Sequence, residues 1–159
     1  MIFVTVGHQM PFDRLIEAVD RWARQQGRDD VFAQIGATER FPQTIQSEKY
    51  LSPEQFDHHI AAADAIVAHA GIGTIIAALK LHKPLLVLPR RAALGETRND
   101  HQVATANYFE QHGYVMVAYK ESELPEKLAQ LASFKPSKTV GETAPEPLLL
   151  RLREFAFGK

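Results

Sequence analysis

Apolar positions along this chain alternate between short unbroken runs and helical spacing. Ile2 to Val6 is a largely apolar run that stops at Gly7, as a buried strand would. Phe12, Leu15, Ile16, Val19, Trp22 and Ala23 then recur at spacings of three and four, which lines one face of a helix starting near Pro11. Proline in its first turn and Gly27 past its end bracket that helix. Val31 to Ile35 predicts a second strand, and Thr44-Ile45-Gln46 a weaker third. Ser52-Pro53-Glu54-Gln55 reads as a capping box opening a helix to about Ala63. Ala65–Ala68 is the next strand and Thr74 opens the next helix. Leu85–Leu88 is a further strand, stopped by Pro89. Asn99 or Asp100 caps a helix carrying Val103, Ala106 and Phe109, which Gly113 ends. Tyr114–Ala118 is the last strand, and Ser122 begins a helix with Leu124, Leu128 and Leu131.

Apolar strands alternating with amphipathic helices predict an α/β fold, a single Rossmann-like domain with a mostly parallel sheet covered on both faces. Residues 1–134 form that domain. Residues 135–147 hold three prolines and a glycine and read as a linker, and 148–159 as a closing helix. A length of 159 residues suits one domain with a real core. The net charge of −1 supplies no basic footprint, so nucleic acid is not an expected partner. With no cysteine, disulfides, thiolate metal sites and a cysteine nucleophile are excluded. The start of the chain lacks the basic, long apolar character of a leader peptide, and no run approaches the ~20 apolar residues that cross a bilayer. A cytoplasmic protein is expected.

Ligands of open α/β sheets sit outside the carboxyl ends of the strands. That rule gathers three segments: Gly7-His8-Gln9, His69-Ala70-Gly71-Ile72-Gly73-Thr74, and the long polar loop from Pro89 to Gln102. The second is a strand delivering its end to a Gly-rich turn and a helix start, where free N–H groups and the positive helix end favour a phosphate. The same turn also serves without a ligand. It is neither the triphosphate loop, since no Gly-Lys-Ser/Thr follows, nor the full dinucleotide fingerprint. In the long loop Arg90, Arg91 and Arg98 could offset diphosphate charge, while Glu96, Asn99 and Gln102 are residue types that bind hydroxyls. A solvated connection with capping Asn99 and Asp100 is the alternative. His58 and His59 are adjacent on a helix, cannot share a face, and are expected at the surface. His69 is expected to end its strand and brace the turn.

Four motifs together carry a resemblance: Phe3-Val4-Thr5-Val6-Gly7, Pro11-Phe12-Asp13-Arg14-Leu15-Ile16, His69-Ala70-Gly71-Ile72-Gly73-Thr74 and Asn99-Asp100-His101-Gln102. In this order and spacing, from Met1 to about Leu131, the chain resembles the carboxyl-terminal domain of glycosyltransferase family 28. Within it the chain looks like the donor half of the transferase that adds N-acetylglucosamine to peptidoglycan precursors. It is more similar to the small subunit of the two-part transferase that extends dolichol-linked N-acetylglucosamine. It is most similar to bacterial exopolysaccharide and capsule proteins of that type, through Pro89-Arg90 and Gly95-Glu96 with Arg98-Asn99-Asp100-His101-Gln102.

The resemblance implies the C-terminal half of a GT-B enzyme cut in two. This chain would bind a UDP-sugar, with no metal or further cofactor. A membrane-associated subunit would bring a lipid-linked saccharide acceptor and recruit the chain to the inner face of the membrane. Gly71, Ile72, Gly73 and Thr74 would hold the diphosphate, His101 and Gln102 the hexose, with Gly7, His8, Arg90, Glu96 and Asn99 also at the donor. Two positions depart from the pattern. Ala77 stands where relatives carry a ribose-binding glutamate, a role Glu96 would then take over, and His8 stands for a threonine or serine. The implied chemistry is inverting transfer of a hexose, for which His8 is a candidate base if the partner supplies none. Leu148, Leu149, Leu152 and Phe155 form an apolar stripe that docks on the partner or packs on the parent sheet. Two readings outside catalysis stand beside this one: a non-catalytic module that stabilises or stimulates a partner transferase, and a flavodoxin-like signalling domain. The latter normally needs an acidic phosphoacceptor cluster that Gly7-His8-Gln9 does not provide.

Overall fold

Every apolar run becomes a strand of one sheet. The computed structural model describes residues 1–137, so most of the expected linker and the closing helix at 148–159 lie outside the described residues. The strands are β1 (Ile2–Thr5), β2 (Val31–Gln34), β3 (Gln46–Glu48), β4 (Ala65–His69), β5 (Leu85–Leu88) and β6 (Met116–Val117), all parallel, in the order β3-β2-β1-β4-β5-β6. Among the described residues five α-helices accompany them, four between strands and the last after β6: α1 (Asp13–Gln26), α2 (Pro53–Ala62), α3 (Ile72–Lys80), α4 (His101–Gln111) and α5 (Leu124–Leu131).

Side chains alternate across the sheet, so its two faces hold separate cores. Ile2, Val4 and Val6 pack with α1 and α5 through Leu15, Ile16, Val19, Leu124 and Leu128. Phe3 faces the other way, toward Ile60 of α2, Ile75 and Leu79 of α3 and Ala106 of α4. The expected doubly covered α/β architecture is therefore the observed one.

Boundaries shift where side chains capture backbone groups. The third strand starts at Gln46 rather than Thr44 because the Asp20 carboxylate on α1 accepts the N–H groups of Gln43, Thr44 and Ile45 at 3.2, 2.8 and 3.1 Å. Helix α1 begins at Asp13, two residues late, and Arg90 takes the carbonyls of Met10 and Pro11 just before it. Strand β6 shrinks to two residues, since the Tyr114 N–H turns back to Phe109 O and closes α4. The capping box is present as read: Ser52 Oγ accepts from Gln55 N–H and Gln55 Oε1 accepts from Ser52 N–H. His59 corrects the surface assignment. It is half-buried, its ring stacked 4.1 Å from that of Phe32 on the sheet, while His58 is exposed.

The strand order locates the site. The chain builds outward from β1 to β3, returns to pair β4 against β1, and then builds the opposite way to β6. The loops after β1 and β4 therefore diverge to opposite sides and leave a crevice between them, at the carboxyl edge of the sheet.

Candidate functional site

That crevice is a cavity of about 500 Å³ lined by the loops after β1, β4 and β5. Gly7, His8, Gly71, Ile72, Gly73, Thr74, Arg90, Glu96, His101 and Gln102 all border it. Asn99 does not. Gln9 and Thr97, which lie in the gathered segments without an assigned role, border it as well, as does Met10, which lies in none of them because a loop's turn direction carries no periodic signal. A second space of about 370 Å³ adjoins it across Gly7, His8, Gly73 and Thr74. Its outer wall is apolar, from Leu51, Pro53 and Phe56, with Asp57 on the rim. His8 stands between the two, its ring stacked 6.0 Å from Tyr50.

Helix α3 opens into this space. It starts at Ile72, two residues before the expected Thr74, with Gly71 as an extended N-cap that offers no side chain. Gly73 and Thr74 thus lie in the first turn, where backbone N–H groups have no intrahelical acceptor and the helix end is positive. The first fixed backbone acceptance is Gly71 O from Ile75 N–H at 3.1 Å.

His69 sets the spacing of the two glycine turns. As the last residue of β4 it lies under both, its Nδ1 3.5 Å from Thr5 O. A Cβ on Gly7 would come within 2.9 Å of His69 Cε1, and one on Gly71 would overlap the same ring. Gly7 also has φ +76°, so a side chain there is excluded twice over. Burial, and secondarily the nearby Arg90 charge, push the His69 pKa from 6.5 down to about 4. The imidazole is therefore neutral at physiological pH. Between those values the unfolded chain binds a proton that the native chain does not, so this group destabilises the fold as pH falls. The loss should approach ~3 kcal/mol below pH 4. Thermal melts of wild type and His69→Gln at pH 7 and 4.5 test it: the variant should lose less stability on acidification. An equal loss in both would contradict the assignment.

Below Gly7 a polar network centred on the fully buried Thr5 and Gln34 ties the β1 turn to the β3–α2 connection. Gln34 Oε1 accepts from the Thr5 hydroxyl at 2.7 Å, and Gln34 Nε2 donates to Gly7 O at 3.1 Å and Lys49 O at 2.9 Å. It fixes the wall of one space relative to the floor of the other.

Three expected donor ligands have other engagements. Arg90 is buried, and its terminal nitrogens donate to Val6 O, Met10 O, Pro11 O and Glu96 O at 2.6 to 3.3 Å. Burial draws its pKa down to about 10, with Glu96 opposing, so it stays charged while serving as a rivet between loops. Glu96, expected at the ribose, instead receives Arg14 Nε at 2.7 Å, Arg14 Nη2 at 2.8 Å and Arg91 N–H at 2.9 Å. Both carboxylate oxygens are occupied. Asn99 braces His101: its Oδ1 accepts from the His101 N–H and lies 2.5 Å from His101 Nδ1. Asp100, the other expected cap, accepts from Ala92 N–H rather than from its helix. Gln102 keeps its expected place, buried beside Arg90, with Oε1 accepting Arg90 N–H at 3.2 Å and its amide N–H groups left for the cavity it lines.

Known proteins resemble the chain in sequence and in shape. The family model described as "Glycosyltransferase family 28 C-terminal domain" matches residues 1–143. The UDP-N-acetylglucosamine transferase subunit ALG13 of Cryptococcus neoformans var. neoformans is 36% identical over 85 residues, covering 52% of this chain and 40% of that protein. The UDP-N-acetylglucosamine–N-acetylmuramyl-(pentapeptide) pyrophosphoryl-undecaprenol N-acetylglucosamine transferase of Clostridium botulinum is 34% identical over 93 residues, covering 55% of this chain and 24% of that one. The chain thus spans less than half the length of these relatives. Among solved structures, an NMR structure of ALG13 superposes with a TM-score of 0.60 at 21% identity, covering 95% of this chain and 93% of that one.

Proposed function

We propose, from the premise that the chain belongs to the glycosyltransferase family 28 C-terminal domain family, that it is the donor-binding part of a UDP-sugar-dependent glycosyltransferase. Its sheet and helices match the C-terminal half of GT-B glycosyltransferases. One observation carries the reading. The first turn of α3 opens its N–H groups into a cavity at the sheet's switch point, with a neutral histidine beneath and the Gln102 amide on the wall. Such a turn suits a diphosphate. The adjoining apolar space suits a planar base, and Gly73 and Thr74, shared by both, keep base and phosphate contiguous. Gln102 and His101 then meet the sugar.

In the reaction an acceptor hydroxyl attacks the anomeric carbon, that bond forms with inversion, the bond to the UDP oxygen breaks, and the hydroxyl proton passes to a base of the partner subunit or, if it supplies none, to His8. Helix-end N–H groups stabilise the charge that grows on the departing diphosphate. The acceptor is a lipid-linked saccharide presented by a membrane-associated partner subunit, in exopolysaccharide or capsule synthesis. A relative that is itself named a transferase subunit supports a divided enzyme. Among the described residues no helix is long and apolar enough to cross a membrane.

Calorimetric titration tests the reading. UDP should bind at micromolar concentration, and Gln102→Ala should weaken a UDP-sugar by roughly 1 to 3 kcal/mol while leaving UDP nearly unchanged. Equal losses for both ligands would mean that Gln102 serves only as the acceptor for Arg90 N–H. Absence of any UDP binding would favour a module that only stabilises its partner. Transfer to a lipid-linked acceptor by the purified chain alone would overturn the divided enzyme.

A further inference from the structure

Two sequence motifs far apart in the chain meet at the edge of the cavity, and neither is used by the function proposed above. Arg14, from Pro11-Phe12-Asp13-Arg14, and Glu96, from Gly95-Glu96, form a fork-to-fork ion pair through Nε and Nη2 at 2.7 and 2.8 Å. Only 13% and 11% of these side chains is exposed, so the pair is shielded from solvent and salt as a surface pair would not be. Arg14 Nη2 also donates to Pro89 O at 3.0 Å, and Nη1 to Glu121 at 3.2 Å. Glu96 in turn accepts the Arg91 N–H. One guanidinium on α1 thus holds both ends of the loop that leaves β5.

We infer that Arg14 is a positioning residue: through Glu96 it latches the loop 89–98 as a preformed wall of the donor cavity. Arg14 itself does not line that cavity, whereas Glu96 and Thr97 do, and His101 and Gln102 follow directly. The loop runs 12 residues, 89–100, between the end of β5 at Leu88 and His101, with only the short 3-10 turn Ala92–Leu94 inside it. A loop of that length is ordinarily mobile, and ordering it on ligand binding would lower affinity. The latch places that ordering in the unliganded fold. Phe12 adds to it, its ring centroid 4.5 Å from the guanidinium carbon of Arg90 and 5.3 Å from that of Arg14.

Amide hydrogen exchange and UDP-sugar titration together test the latch, and only the titration rests on the function proposed above. In Arg14→Met, exchange of residues 91–98 should quicken by about tenfold or more while β1 and β4 stay protected. UDP-sugar affinity should fall by roughly fivefold to tenfold. Arg14→Lys, which keeps the charge and loses the fork, should recover part of both. Glu96→Gln should reproduce the exchange effect, and Arg14→Met with Glu96→Gln should be no worse than either alone. Glu96→Gln also carries the measurement if Arg14→Met does not fold. Unchanged exchange at 91–98, acceleration spread equally over β1 and β4, or additive effects in the double variant would overturn the inference. A wild-type chain that binds no UDP-sugar would overturn the function instead, and the exchange result would still decide the latch.

Discussion

Gly73→Val should abolish UDP binding and leave the chain folded. Gly73 lies in the first turn of α3, and a Cβ built there meets no atom within 4 Å. The backbone therefore accepts a side chain, and valine is at least as good a helix former as glycine. The open space around that Cβ is the cavity itself. A branched side chain there covers the helix-end N–H groups, removing two or more charge-assisted hydrogen bonds, a loss of at least ~3 kcal/mol or about a hundredfold in Kd. Circular dichroism and calorimetry on the same sample separate the two effects. A folded variant with unchanged UDP affinity would remove the phosphate site from α3. Gly71→Ala is the contrasting control, because its Cβ would overlap the His69 ring and the damage there is to the fold.

Arg90→Met should cost about 3 to 5 kcal/mol of folding stability. The guanidinium is 4% exposed and serves four backbone carbonyls, those of Val6, Met10, Pro11 and Glu96. Methionine fills much of the volume and supplies no donor, so these buried oxygens lose their partners together. Its stacking on Phe12 weakens as well. Arg90→Lys should recover little, since one ammonium cannot span carbonyls arranged around a planar fork. Urea denaturation of both variants checks this, and a loss under ~1 kcal/mol for Arg90→Met would show that water replaces the guanidinium without penalty.

Both outcomes bear on what a linear reading can reach. Gly71, Gly73, Thr74 and Gln102 were legible because a strand, a glycine turn and a helix start form a local pattern with a local chemical meaning. The hydrogen bonds that Arg90, Glu96 and Asn99 make within the fold were not legible, because a polar side chain in a loop offers the same groups to a ligand and to the fold. For Arg90 and Glu96 the receiving groups lie 79 to 84 positions away, at Pro11, Arg14 and Val6, whereas Asn99 engages His101 two positions on. The His59 stack on Phe32 and the capture of residues 43–45 by Asp20 fall to the same cause.

Sequence by itself determined the alternation of strands and helices, the parallel doubly covered sheet, the capping box at Ser52 and the family. Each follows from spacing, propensity or a contiguous motif, which are properties of neighbours in the chain. Tertiary structure alone decided the strand order that opens the crevice between β1 and β4, and the wedge of His69 under Gly7 and Gly71. It also decided the engagement of Arg90 and Glu96 with distant parts of the fold. Burial is the physical reason: a charged or polar group removed from water must find a partner, and only the packed chain fixes which one lies within reach.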